Sequence, residues 1–412
     1  MIALQYRKSI PRFFWVAATA KRFPSQITGF ASPLSLIDLP ERPLPSQEWT
    51  RVRPLMSGIC GSDLAVLSST GSRYLSAVTS FPFTPGHEVV GEVTEIGREV
   101  LSVQIGDRIT LEPALGCAVR GIISPCSPCN SGNYANCERI THGTIGMGLQ
   151  TGFCHDTGGG WGSELIAHEK QLHQVPSQIP TSAAVLTEPL SCAIHSVLHP
   201  KIQKGNTILI IGCGSLGLLT ILSLKALAPT CTIIAMAKHV HQANLATEYG
   251  ADYIVTSGKS SYSELSELTN AELYPLILEQ PAVIGGSDLT FDCVGTQSSI
   301  RDAFRWTRSR GTVILVGMPK PSTLDLAPFW AQELTLIGTY AYGIETAPVA
   351  LGKRSFEIAL ELLGETDIQN KLETLVRNKF PLIKYREAIR SAMATGKSGS
   401  IKTVFDFRPN ST

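Results

Sequence analysis

The sequence has almost no excess of charge of either sign: 35 Lys and Arg stand against 34 Asp and Glu in 412 residues, a formal net charge of +1. Nucleic acids and anionic membranes are recognised through accumulated positive charge, so this balance argues against both as partners. Long apolar runs are missing too; none reaches the roughly 18 residues of a membrane span. The stretch "FFWVAATAKRF", starting at residue 13, lacks the longer apolar core and the cleavage site of a signal peptide. An opening strand and a surface loop are expected there instead. Internal repeats and long low-complexity linkers are also absent.

What the sequence does have is ten cysteines. With no export signal read and a cytoplasmic location expected, clustered thiols point to metal more than to disulfides. Cys192, Cys213, Cys231 and Cys293 lie among apolar residues and are expected to be small buried hydrophobes. The others include the cluster "SPCSPCNSGNYANCE", with Cys126, Cys129 and Cys137. A structural zinc takes four ligands. A run of two-residue gaps would put the first at position 123, but Ile123 cannot ligate. The nearest upstream cysteine is Cys117, with eight residues between it and Cys126. Loop closure costs little more for such a gap, so a four-thiolate zinc site of Cys117, Cys126, Cys129 and Cys137 is the leading reading. A three-cysteine or empty site and a disulfide are the alternatives.

The chain changes texture midway. Its first half is broken by Gly and Pro and holds short strands of period two, such as "HEVVGEVTEIG" and "DRITLEP". This pattern predicts an antiparallel, barrel-like β domain with long loops. From "NTILIIGCGSLG" onward, six solid apolar runs alternate with helix-compatible stretches, as in a doubly wound parallel α/β sheet buried on both faces. Residues 257–287 read as a longer, mixed connection. The tail adds helices and a last strand, "IKTVFDF". "TGGGWGSELIAHE" reads as a turn into a strand of the first domain. Trp161 and Tyr74 are taken as packing residues and left outside the site.

"GCGSLG" places Gly212, Gly214 and Gly217 in a G-x-G-x-x-G pattern, with Ser215 and Leu216 between them, directly after a strand and at the start of a helix. In that context the glycines allow the tight turn, the approach of a pyrophosphate and close helix–strand packing, and the helix N-terminus receives the phosphates. The acid that usually binds an NAD ribose, about 20 residues on, falls at Ala237. Lys238, His239 and His241 follow. A missing carboxylate and a nearby lysine favour a 2′-phosphate, so NADP(H) is expected over NAD(H).

A second metal site is read from "GICGSDL", "PGHEVVGE" and "LTEPLSCAIHS". Cys60 and His87 are natural zinc ligands, and Glu88 or Glu188 could complete three ligands around an open position, as in catalytic zinc sites.

These motifs, with the cysteine lobe, "GCGSLG" and "FDCVG", follow one another in the order found in zinc-dependent medium-chain dehydrogenases. The chain resembles their sorbitol and threonine dehydrogenase-like branch from about residue 50 onward. The resemblance implies a Rossmann domain at 194–340, with a GroES-like catalytic domain from residues 1–193 and 341–412, its zinc lobe at about 112–140. It implies that Cys60 and His87 hold the catalytic zinc, that Ser62 passes on the substrate proton and that Asp63 orients the histidine. It also implies a homo-oligomer, dimer or tetramer. Two features depart from the pattern: the long gap after Cys117, and the missing acid at Ala237.

The chemistry so assembled is hydride transfer between a nicotinamide and an alcohol or polyol, or its carbonyl, with zinc as Lewis acid. The cleft between the domains is the expected place. Reduction of an activated alkene or imine by NADPH is the competing enzymatic reading. A nucleotide- or nucleic-acid-binding zinc protein without catalysis is the non-enzymatic one, and the absence of a basic cluster near the lobe argues against it.

Overall fold

The computed structural model describes residues 1–258, 260–277 and 279–409. Positions 259 and 278, within the predicted 257–287 connection, and 410–412, at the end of the predicted C-terminal part, lie outside the described residues. The chain forms two units. One comprises Met1–Glu188, Tyr342–Ile344 and Lys353–Thr412; the other comprises Pro189–Ala341 and Glu345–Gly352.

The first unit is built on a seven-stranded sheet around the long strand Trp49–Gly58. That strand pairs antiparallel with Val89–Ile96, with Leu165–His168 and with the late strand Thr403–Asp406. Pro54 has no N–H for the ladder, and the register with Val89–Ile96 shifts beside it. Inward-facing Val52, Val89, Val93, Ile109, Leu111 and Leu165 form one core cluster. Aliphatic β-branched residues suit this half-buried pleated surface.

The stretch expected to be strand and loop is instead a helix, Ile10–Thr19, with Pro11 in its first turn. Pro is compatible with that position because its missing N–H has no helical acceptor there. The strand pairing falls on either side, Ile2–Tyr6 against Leu34–Asp38. Val16 and Ala20 join a core cluster with Leu382, Tyr385, Ala388 and Ile389.

The second unit carries a six-stranded sheet, all parallel, in the order Tyr253–Thr256, Thr232–Ala237, Thr207–Ile211, Ser287–Asp292, Thr307–Leu315, Thr335–Gly338. These are the six apolar runs of the sequence. Ile208, Ile210, Ile233, Ile234, Phe291 and Ile314 are wholly buried, which is why the runs are solid instead of alternating. The order reverses between Thr207–Ile211 and Ser287–Asp292, the switch point at which such sheets bind ligands beyond their carboxyl ends. The 257–287 connection contains a helix, Ser261–Thr269, and a small antiparallel pair, Glu272–Tyr274 with Ala282–Ile284. Cys213 and Cys231 are buried as expected. Cys192 and Cys293, expected to be buried, are only partly so; the Cys293 thiol lies 3.8 Å from Thr220 Oγ1.

Candidate functional site

The candidate centre lies in the first unit, where the strand Trp49–Gly58 ends. Cys60 is the N-cap of the helix Gly61–Leu67. At the third helical position, Asp63 accepts a hydrogen bond from the Cys60 amide through Oδ2 (3.0 Å), satisfying one of the orphan donors at a helix start. Its Oδ1 faces His87 Nδ1 at 3.6 Å. His87 and Glu88 immediately precede the strand Val89–Ile96, and the Gly58 amide donates to the Glu88 carbonyl at 2.8 Å. The ligand atoms of Cys60, His87 and Glu88 lie within 4.8 Å of one another. Three such donors around a zinc would stand roughly 3.3–3.8 Å apart, given bonds of 2.0–2.3 Å.

Four residues that sequence reasoning missed build this corner. Gly58 leaves the space in which the Glu88 carboxylate sits: a Cβ there would fall 1.7 Å from Glu88 Oε2. Trp161 is fully buried, donates from Nε1 to the Gly58 carbonyl at 3.1 Å and packs on Gly86. Gly86 has φ +96°, and a Cβ on it would strike the indole at 2.4 Å. The glycines before Trp161 were the only sequence hint, since Gly159 and Gly160 press against residues 84–85 and 57. Lys402, next to the last strand, is buried and ion-paired with Glu88. Nothing local in the sequence pointed to it.

The electrostatics are those of buried, closely spaced charges. Burial disfavours the His87 imidazolium, but Asp63, and after it Cys60 and Glu188, outweigh burial and hold its pKa well above the ordinary value. Burial likewise opposes the Lys402 ammonium, yet Glu88 keeps it charged. Burial pushes Asp63 up while His87 and the Cys60 amide pull it down. Glu188 lies outside the three-ligand group, at the start of the helix Thr187–Leu198, near enough for its charge to act on His87 and Lys402. Ser62 Oγ is buried with no hydrogen-bond partner among the described residues. An orphaned hydroxyl beside these donors fits a centre that takes a metal and an oxygen-bearing ligand.

The four lobe cysteines also converge. Cys117 Sγ stands 3.6 Å from both Cys126 Sγ and Cys137 Sγ, and the latter two are 3.9 Å apart. A disulfide bond is about 2.05 Å long, whereas tetrahedral zinc–sulfur bonds of 2.3 Å put sulfurs roughly 3.8 Å apart. All four ligand atoms fall within 4.8 Å of one another. Burial opposes ionisation of Cys126, yet the amides of Cys129 and Glu138 and neighbouring thiols bring its pKa down to about 6. The long gap after Cys117 is occupied by Arg120, which is wholly buried. Its guanidinium donates to the carbonyls of Leu115, His142, Ile145, Gly146 and Gly148.

In the second unit each glycine of "GCGSLG" has its own geometry. Gly212 has φ +93°. A Cβ on Gly214 would meet nothing within 4 Å, leaving the face of the turn open, and one on Gly217 would fall 1.9 Å from the Gly212 carbonyl oxygen. Gly214 caps the helix Ser215–Leu227. Turn, open approach and close packing are the three requirements of a pyrophosphate loop. At the end of the next strand Ala237 is buried, Lys238 is exposed, and His239 and His241 stack with ring centroids 5.6 Å apart.

Comparisons with known proteins place these geometries in a class. Residues 46–177 match the alcohol dehydrogenase GroES-like domain and residues 215–365 match the zinc-binding dehydrogenase domain. The chain is 26% identical to sorbitol dehydrogenase of Halalkalibacterium halodurans over 349 residues, covering 84% of this chain and 89% of that one. It is 27% identical to L-idonate 5-dehydrogenase of Vitis vinifera over 358 residues, covering 86% and 87%. Galactitol-1-phosphate dehydrogenase of Escherichia coli shares the fold, with a TM-score of 0.70, 21% identity and coverage of 98% and 100%. The chain belongs to the zinc-dependent medium-chain dehydrogenases, in their sorbitol dehydrogenase-like branch. It is an oxidoreductase acting on alcohols, with zinc and a nicotinamide dinucleotide as its cofactors.

Proposed function

We propose that this protein is a cytoplasmic, NADP(H)-preferring dehydrogenase of a polyol or related secondary alcohol, acting as a homo-oligomer. The convergence of Cys60, His87 and Glu88 within 4.8 Å carries the reading. A zinc held there would supply the Lewis acidity that lowers the pKa of an alcohol, and a bound nicotinamide would supply the hydride acceptor. The chain's own residues do the rest. Cys60 and His87 hold the metal with one glutamate. Glu88 has two carboxylate oxygens, so one can face the metal while Lys402 keeps the other; Glu188 is the alternative ligand. Asp63 fixes the imidazole through the nitrogen that faces away from the metal. Ser62 takes the substrate proton through its otherwise unpartnered hydroxyl. Gly212, Gly214, Ser215, Leu216 and Gly217 receive the pyrophosphate, and Lys238 and His239 the 2′-phosphate. Cys117, Cys126, Cys129 and Cys137 hold a structural zinc.

The polyol assignment is supported by the sorbitol and L-idonate named for the relatives. The NADP(H) assignment is supported by the exposed Lys238 beside a buried alanine where an acid would repel phosphate. The test is a screen of polyols and their keto forms with both cofactors, read by nicotinamide absorbance. Catalytic efficiency should favour NADP(H) by roughly tenfold or more, the worth of a charge-assisted contact, and Lys238→Ala should remove the preference. A preference for NAD(H) refutes the cofactor assignment, and absence of turnover on any alcohol or carbonyl refutes the activity.

A further inference from the structure

The helix Ile10–Thr19 is apolar on the side where a surface helix is normally polar. Successive residues turn by about 100°, so Phe14, Trp15 and Ala18 lie opposite the buried Val16 and Ala20. A helix that is apolar all round is usually covered, yet Ile10, Phe14 and Trp15 are each more than half exposed. Phe23 and Phe30, in the turns that follow, extend the surface, with exposures of 53% and 99%. Trp15 is held in its outward pose by a hydrogen bond from Nε1 to Gln26 Oε1 (3.3 Å). The segment lies before residue 46, outside the regions matched by the family domains.

Charge is segregated at the same place. Residues 1–37 contain Arg7, Lys8, Arg12, Lys21 and Arg22 and no acidic residue, so the remaining sequence is net acidic, with 30 basic and 34 acidic side chains. All five cations are exposed, and among the described residues none is paired with a carboxylate. The whole-chain charge of +1 averages over this segregation.

We propose that this surface docks the protein peripherally on an anionic phospholipid bilayer. Aromatic and aliphatic side chains projecting from a helix and its turns, flanked along the chain by exposed Lys and Arg that pair with no carboxylate among the described residues, match the chemistry of an interfacial anchor: rings enter the headgroup boundary while cations meet lipid phosphates. Among the described residues no helix is long and apolar enough to cross a membrane; the association proposed is at the surface. A second copy of the chain is a poorer occupant, because a two-fold contact brings the same five uncompensated cations face to face.

The test is flotation of the full chain with vesicles of phosphatidylcholine alone and of phosphatidylcholine with about one third phosphatidylserine. Binding is expected to the anionic vesicles only and to weaken as salt rises and the Debye length shrinks. Lys21→Glu combined with Arg22→Glu should reduce binding by about 25-fold or more, at about fivefold per cation. Phe14→Ser combined with Trp15→Ser should abolish it, with the thermal midpoint of either variant unchanged. Equal binding to neutral vesicles, no binding to either, or binding that survives both double substitutions overturns the proposal. So does a loss of oligomer mass in light scattering on Phe14→Ser/Trp15→Ser without any vesicle binding by the parent, which assigns the surface to a second copy.

Discussion

At Gly58 the absence of a side chain is a condition for the centre, not a matter of backbone freedom. The residue ends a strand in extended conformation, and its missing Cβ is the space the Glu88 carboxylate occupies. Gly58→Ala should leave the strand intact and push the carboxylate, with its partner Lys402, out of place. A misplacement of about 1 Å at a reacting centre costs on the order of a hundredfold in rate. Steady-state kinetics should show that fall in kcat/KM with cofactor affinity retained, and unchanged kinetics would mean that Glu88 is not part of the centre. The two glutamates can be told apart the same way. Glu88→Gln leaves Lys402 buried beside a neutral amide and should lower both stability and metal content; Glu188→Gln should lower metal content only if Glu188 is the ligand. Metal analysis with thermal unfolding of both variants decides.

Between elements, a buried network ties the cysteine lobe to the sheet. Glu112 follows the strand Arg108–Leu111 and accepts from His173 Nε2 and Arg354 Nη2, each at 2.6 Å. Arg354 caps the helix Ser355–Leu363, stacks on Tyr134 of the lobe at 4.7 Å and reaches its hydroxyl at 3.2 Å. Burial raises the Glu112 pKa, but the His173 bond and the Arg354 charge outweigh it and hold the carboxylate below its ordinary value. A depressed folded-state pKa means stability that is complete above the unfolded value, about 4.3, and lost as pH falls through the lower folded one. Breaking a buried pair costs on the order of 3 kcal/mol. Unfolding free energies from urea titration of the parent and Glu112→Gln should therefore differ by that amount at pH 6 and converge only as pH falls through the depressed folded value; a gap independent of pH would show that Glu112 is not ionised in the fold. Such pairings explain what could be read in advance. The glycine loop was legible because strand, turn and helix are adjacent in the chain, and Cys60 and His87 because their residue types have few other uses in such motifs. Lys402 meets Glu88 across 314 positions, and Arg120 looks like any loop arginine until its five carbonyl partners are seen. The helix Ile10–Thr19 was misread because its apolar residues follow no single face, and periodicity is the signal that separates helix from strand.

On the scale of the molecule, two cages with different chemistry belong to one unit, and the nucleotide loop belongs to the other. Their losses should therefore be separable. The lobe spans residues 117–137 with short helical turns and a small cluster of its own, made of cysteines, Ile122 and Ile140. A segment with so little apolar core takes its folding energy from the metal. Cys126→Ser should remove one of two zincs and lower the unfolding midpoint, with early proteolysis in the lobe. His87→Ala should remove the other zinc and abolish turnover with nicotinamide binding intact, because Gly212–Gly217 is folded by its own parallel sheet. Metal analysis, thermal unfolding and cofactor titration on the two variants check the pattern. The four-thiolate cage, closed on all sides, should also hold its zinc against a chelator longer than the three-ligand centre with its open position. Activity lost to the chelator should then return on adding zinc before any loss of structure. If instead structure fails first, or His87→Ala retains both metals, the assignment of the open site to Cys60, His87 and a glutamate is wrong, and the proposed chemistry goes with it.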